Sequence, residues 1–361
     1  MPSKSKILVI VHYAPVDLYP PVQNLISELV GEPNLEVRLI TGYPYLSDFV
    51  NVRSPRGWFA YERFPWLHHL WWFFTLWKKA WVWKHEKWLL YEANSYPALL
   101  ALASERDIWL HFHEYRRPKN PESILERWYE TRIRSFLHKT YRVSHVTDAR
   151  IKLLKEELGQ SSDVKFERMW NCPRFQWADG ALKSDELPKT IVVVGALGKS
   201  CWASEVIESM KKQNKYTLHV YGKDSFTSTE RVQFKGWVNY SELPSVLERY
   251  RVGLVWYNGN STNVKTSISN KIFEYLHSGL HVLLSADLKE AELSLFPQYR
   301  NHISITDFSN SHWIKALDSA FEKPRVPNKD HHFVESCQPL LKWVLSDEGE
   351  DSGSNEIEQK L

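Results

Sequence analysis

Short, almost wholly apolar runs alternate with amphipathic stretches in both halves of this chain, and that alternation restricts the fold more than any other feature. Lys6-Ile-Leu-Val-Ile-Val-His12 has no polar residue between its ends, as a strand covered on both faces of a parallel sheet requires. Residues 22–30 read as the helix after it and Leu35-Glu-Val-Arg-Leu-Ile-Thr41 as the second strand. The pattern restarts at Thr190-Ile-Val-Val-Val-Gly195 and runs on through strands at 216–222, 232–238 and 252–257. Strand–helix–strand order predicts the α/β class, and 361 residues allow two such domains.

One stretch carries chemistry as well as fold. Residues 267–285 read as a loop, a helix starting near Ser269 or Asn270, a glycine stop at Gly279 and a strand, His281-Val-Leu-Leu-Ser285. Helical spacing puts Ile272 and Leu276 on one face and Lys271, Glu274 and Ser278 on another. The helix beginning, with its dipole and Lys271, can seat a phosphate, and Glu274 one turn on can accept from a pair of hydroxyls. The plainer alternative is a serine cap followed by a solvated Lys–Glu pair.

The segment Asn270-Lys271-Ile-Phe-Glu274-Tyr275-Leu276-His277-Ser278-Gly279-Leu280-His281-Val282 resembles the nucleotide-sugar signature of retaining family-four glycosyltransferases with the GT-B fold. The resemblance implies two Rossmann-like domains facing a cleft. It implies a nucleotide diphosphate-sugar as donor, held by Ser269, Asn270, Lys271 and Glu274, with no cofactor and no metal. It also implies a glycan or lipid-linked acceptor on the first domain. Further residues match the family's pattern. Asp107-Ile-Trp-Leu-His-Phe-His113-Glu114 resembles a strand end at the interdomain cleft, which makes His113 and Glu114 the expected catalytic pair, with His111 a competitor on the same face. Asn171 resembles the asparagine that ends the last strand of the first domain. Gly195 and Lys199 stand where the family places its diphosphate loop, although Ala196 replaces an arginine. Thr266 occupies the position at which many relatives carry a carboxylate for the transferred sugar.

The remaining features bound the setting. A net charge of +3 gives no sign of a nucleic-acid partner, and three scattered cysteines suit a reducing compartment. Neither a signal peptide nor an apolar run long enough to span a bilayer is evident, so a cytoplasmic location is expected. Among the 17 tryptophans, eight fall between Trp58 and Tyr91, with five basic residues against two acidic ones. That mixture reads as a helical insert, 58–91, able to lie on the inner face of a membrane through Lys78, Lys79, Lys84 and Lys87, or else to be covered within its domain. The expected organisation is a first domain at 1–180, a second at 181–330 joined by a linker at 179–189, a crossover helix at 331–345 and a disordered acidic tail at 346–361. Polysaccharide or glycoconjugate synthesis is the expected setting. A non-catalytic partner of a transferase and a nucleotide-sugar hydrolase or epimerase remain alternatives.

Overall fold

The structure, a computed structural model, describes residues 6–43, 51–53, 65–102, 107–116, 124–159, 164–174, 187–195, 198–223, 226–328, 330–331 and 333–346. Residues 347–361 of the tail expected at 346–361, most of the linker and Trp58 lie outside these residues. The first sheet contains β1 (Lys6–His12), β2 (Leu35–Thr41), β3 (Asn51–Arg53), β4 (Lys87–Tyr91), β5 (Ile108–Phe112), β6 (Arg142–His145) and β7 (Phe166–Arg168). Its order is β3-β2-β1-β4-β5-β6-β7, parallel throughout. The second sheet contains β8 (Thr190–Val194), β9 (Thr217–Tyr221), β10 (Val232–Gly236), β11 (Val252–Val255), β12 (His281–Ser285) and β13 (Ile303–Thr306), parallel in the order β10-β9-β8-β11-β12-β13. Both are doubly wound sheets whose order reverses beside the first strand of each half, where the crevice for a ligand opens at the strands' carboxyl ends.

Helices cover both faces. The first half carries α1 (Pro20–Leu29), α2 (Pro65–Val82), α3 (Tyr96–Leu99), α4 (Ile124–Ser135) and α5 (Asp148–Leu158). The second half carries α6 (Ala203–Lys211), α7 (Leu243–Leu247), α8 (Thr262–Lys265), α9 (Asn270–His277), α10 (Lys289–Tyr299) and α11 (Trp313–Glu322). Two further helices, α12 (Phe333–Ser336) and α13 (Gln338–Leu345), return to the first sheet. There Phe333, Cys337, Leu340, Trp343 and Val344 are buried with Leu8, Ile10, Leu89 and Trp109.

The tryptophan-rich segment corrects the sequence reading. It is not a helical insert through residue 91, because Lys87–Tyr91 is β4, a central strand paired with β1 and β5. Only Pro65–Val82 is helical, and α2 is an ordinary crossover helix between β3 and β4. A four-residue spacing explains its inner face, since His68, Trp72, Leu76 and Ala80 are all buried. Trp66, Leu70, Phe74, Trp77 and Trp81 face out. Lys87 also leaves the expected basic face: its ammonium donates to the carbonyls of Val344 (3.4 Å) and Ser346 (3.1 Å), and to that of Trp343, at the end of α13. No described helix is long and apolar enough to cross a membrane.

A glycine in the second sheet sets the position of α9. A side chain at Gly253 in β11 would come within 2.5 Å of the Tyr275 ring, so glycine lets that ring lie on the strand. The Tyr275 hydroxyl then accepts from the Val194 amide at 3.0 Å, tying α9 to the carboxyl end of β8.

Candidate active site in the interdomain cleft

The two sheets present their carboxyl ends to a shared cavity of about 270 Å³. Asp17, Tyr19, Pro20, Pro21, His113 and Asn171 line it from the first half, and residues from Val194 to Glu274 from the second. The halves are joined beside it by a buried strut. Arg150 of α5 donates to the His113 carbonyl (2.5 Å) and to the Asn263 carbonyl (2.7 Å), and Thr147 donates to the Thr266 carbonyl (2.9 Å). The polar loop 258–269 is folded in part into α8 and held against the first half by these bonds.

The start of α9 forms one wall. Ser269 is its N-cap, its Oγ accepting from the Lys271 amide at 3.4 Å, while the Ile272 amide donates to the Ser269 carbonyl at 3.0 Å. Two first-turn amides are therefore already occupied, and Ser269 itself does not line the cavity. Asn270, Lys271 and Glu274 do. Asn270 Nδ2 donates to Glu274 Oε1 at 2.7 Å, and Lys271 Nζ stands 3.9 Å from Glu274 Oε2. At that distance there is an ion pair but no hydrogen bond, and Oε2 is buried without a hydrogen-bond partner. Burial raises the Glu274 pKa, while Lys271 and Asn270 pull it back.

Gly195 serves this wall in a way the sequence did not suggest. Its φ of +129° lies in the region that favours glycine, and a Cβ there would come 2.9 Å from Lys271 Cε. The missing side chain is what allows Lys271 to cross the end of β8 and reach the cavity. Gly222, from the end of β9, lies so close to Gly195 that a Cβ would stand 2.3 Å from the Gly195 carbonyl oxygen. Tyr221, Trp237, Val238, Tyr240 and Leu243 complete this half as an aromatic and apolar lining. Lys199 belongs elsewhere: it is exposed, its carbonyl accepts from Asn258 Nδ2 at 2.8 Å, and it is not in the cavity wall.

Across the cleft, His113 follows β5 directly. Its Nε2 lies 3.1 Å from Asn171 Nδ2, and its Nδ1 is buried with no partner. Burial lowers its pKa to about 4, with Arg150 adding to the fall and Glu114 opposing it. The ring is therefore neutral near pH 7. With Asn171 Nδ2 taken as the donor into Nε2, the ring carries its proton on Nδ1; with the amide turned over, Nδ1 is the acceptor instead. The expected pairing with Glu114 is not formed. Glu114 binds Arg116 at 2.9 Å, is 42% exposed along its side chain and does not line the cavity. His111 is fully enclosed, 2.9 Å from the Ser144 hydroxyl, and is part of the core. Thr266 also misses the cavity, its hydroxyl donating to the Thr262 carbonyl at 2.8 Å.

The sequence reading missed Glu92, which follows β4 at a φ of 61°. Its Oε1 accepts from the amides of His113 (2.6 Å) and Glu114 (3.1 Å), so it shapes the loop that carries His113. Left-handed backbone in a non-glycine residue costs on the order of 1 kcal/mol, which those two bonds offset. Among the described residues no group of three or more His, Cys, Asp or Glu is arranged to hold a metal ion.

Comparisons with known proteins bear on the fold. A family model, the C-terminal domain of glucosyltransferase 3-like proteins, matches residues 191–294, which hold β8 to α9 and the strand after it. No curated protein matches the sequence at a significant level. Among solved structures, sucrose-phosphate synthase from Thermosynechococcus elongatus superposes with a TM-score of 0.64 at 12% identity, over 94% of this chain and 95% of that one. HepE from Anabaena, in complex with UDP and glucose, gives 0.60 at 11% identity, over 92% and 94%. A Listeria monocytogenes candidate UDP-N-acetylglucosamine 2-epimerase gives 0.56 at 11%, over 94% and 96%. At such identities the likeness is one of fold: two Rossmann-like domains facing a cleft, the GT-B architecture.

Proposed function

We propose that this GT-B protein transfers a sugar from a nucleoside diphosphate-sugar, seated between the domains, to a hydroxyl of an acceptor held by its first domain. The observation that carries this reading is the first turn of α9. A buried carboxylate oxygen with no hydrogen-bond partner, Glu274 Oε2, stands 3.9 Å from the Lys271 ammonium on one wall of the cleft. A buried acceptor left unmade costs about 1–3 kcal/mol, and a ribose hydroxyl supplies the missing donor. Lys271 and the helix dipole then face the diphosphate. Negative charge grows on the leaving diphosphate as the glycosidic bond breaks, and a cation already in place stabilises that charge.

His113 acts from the other side. Its unpartnered Nδ1, protonated when Asn171 Nδ2 donates to the ring, is a donor for a hydroxyl of the transferred sugar or of the acceptor, and Asn171 and Glu92 hold the ring and its loop. Because the Anabaena structure contains UDP and glucose, UDP-glucose is the first donor to test. We take retention of configuration, and turnover unaffected by chelators, as parts of the same reading. The test is UDP release from UDP-glucose with and without a panel of sugar acceptors. Acceptor-dependent release is expected, with His113→Ala lowering turnover by roughly a hundredfold while UDP affinity changes less than threefold. Release of free glucose without acceptor would mark a hydrolase, and wild-type turnover in His113→Ala would make the histidine structural.

A further inference from the structure

Three consecutive amides, at residues 113–115, follow the end of β5, and with no strand to pair with each needs an acceptor from elsewhere. Glu92 Oε1 takes the first two, at 2.6 and 3.1 Å. The third finds its acceptor in the other domain, where Oδ1 of Asn263 on α8 accepts from the Tyr115 amide at 2.9 Å. A backbone N–H can only donate, so this bond fixes which way the Asn263 amide is turned. Asn263 is used a second time through its own carbonyl, which accepts from Arg150 (2.7 Å), while another nitrogen of the same guanidinium donates to the His113 carbonyl (2.5 Å). Both peptide units after His113 are therefore held, the first through Arg150 and Glu92 and the second by Asn263 directly.

Arg150 and Tyr115 are both buried, and hydrogen bonds sheltered from water are electrostatically stronger than exposed ones. On its other side Asn263 leads to the donor wall. α8 ends at Lys265, and only residues 266–268 separate it from Ser269, the cap of α9. Within that short connection the Thr266 carbonyl accepts from Thr147 (2.9 Å), and Ile268 is buried in the same core as Ile272 and Phe273. The wall that carries Lys271 and the residue that holds the His113 loop therefore belong to one packed segment.

We propose that Asn263 is a positioning residue: from the donor-binding domain it sets the loop of His113, through Tyr115 and Arg150, so that the histidine takes its working place only with the two domains joined. This rests on the transferase reading and adds to it the residue that couples the domains. Asn263 is absent from the wall of the donor cavity, so its loss changes where His113 stands and removes no contact with the nucleotide. Truncating Arg150 would strand two buried carbonyls and disturb the fold, which makes Asn263 the residue to change. Its helix accepts the change, because alanine is the best helix former and aspartate suits the first turn.

The experiment is a double-mutant cycle on UDP-glucose turnover with the best acceptor of the panel, using Asn263→Ala, Asn263→Asp, His113→Ala and the double variant with alanine at both positions. Asn263→Ala should lower kcat about fivefold, the worth of one net hydrogen bond, and leave UDP affinity within about twofold in calorimetry. Asn263→Asp keeps an acceptor for the Tyr115 amide and should bring kcat back to within about twofold of wild type. With His113 already alanine, Asn263→Ala should cost less than about twofold more, because no imidazole is left to place. Losses that multiply in the double variant, a wild-type kcat in Asn263→Ala, or no recovery in Asn263→Asp would each overturn the proposal. Amide exchange reads the same loop without turnover: residues 113–115 should exchange about fivefold or more faster in Asn263→Ala, and unchanged rates there would overturn it as well. Faster exchange at 113–115, in a protein whose wild type consumes no UDP-glucose, would keep the link between the domains and remove the transferase reading instead.

Discussion

Glu274→Gln should lower UDP affinity by roughly a hundredfold, about 3 kcal/mol, in a calorimetric titration. Glutamine keeps the side-chain volume and an oxygen for Asn270, so the bond now made at 2.7 Å has a successor and the fold survives. What it loses is the negative charge and one of two acceptor oxygens. A carboxylate accepting from two ribose hydroxyls makes charge-assisted bonds of about 1.5–3 kcal/mol each, and the amide can replace one of them only weakly. Lys271 also loses its counter-charge, at a position only 17% exposed. The melting temperature without ligand should therefore fall as well, and the affinity is read at a temperature where the variant is still folded. Unchanged UDP binding in this variant would end the ribose assignment.

The second large effect concerns pH. Burial raises the Glu92 pKa to about 8, with Glu114 adding to the rise. In the unfolded chain the same carboxyl returns to about 4.5. Between those values the folded protein holds a proton that the unfolded chain has released, so stability falls as pH rises. Glu92's contribution is complete below about pH 4.5 and is lost by the time pH has passed about 8, a change of roughly 3–5 kcal/mol at about 1.4 kcal/mol per unit. Buried neutral histidines act in the opposite sense. His12 and His113 have pKa values lowered to about 4, so they cost stability as pH falls below their unfolded value of 6.5. Comparing wild type with Glu92→Gln separates the two. The variant's advantage in urea unfolding should grow steadily from pH 5 to pH 8.5. A difference independent of pH would show that Glu92 is ionised in the folded protein.

Much of the scaffold can be read from the sequence because its causes are local. Uninterrupted apolar runs of four or five residues such as 7–11 and 191–194 read as covered strands because they are too short for a buried helix, and α9 announces itself through Ser269 at one end and Gly279, at a φ of 78°, at the other. Lys271 and Glu274 follow from helical spacing, and both reach the cleft. β4 was hidden because Trp88-Leu-Leu-Tyr91 follows a long aromatic helix with neither glycine nor proline between them. Periodicity does not separate a buried strand from buried helix in that setting.

The site itself was legible only where one element supplies it. Lys199 sits in a loop of the expected kind, yet its side chain is left in solvent. Glu92, Tyr19 and Trp237 come from the ends of three different strand or loop segments, and no spacing rule links them. The sequence places Gly195 in a loop expected to face a phosphate, and in the structure a lysine from a helix 76 positions later also needs its missing Cβ. Long-range packing of this kind leaves no local signal.

Amide hydrogen exchange with and without UDP tests the central claim most directly, because it asks which backbone the nucleotide covers. Protection is expected around Gly195, Gly222 and the first turn of α9 at Asn270–Glu274, with little change at α11 on the far side of the second sheet. UDP binding that leaves those three segments exchanging as in the free protein, or protects only surfaces away from the cleft, would contradict the account.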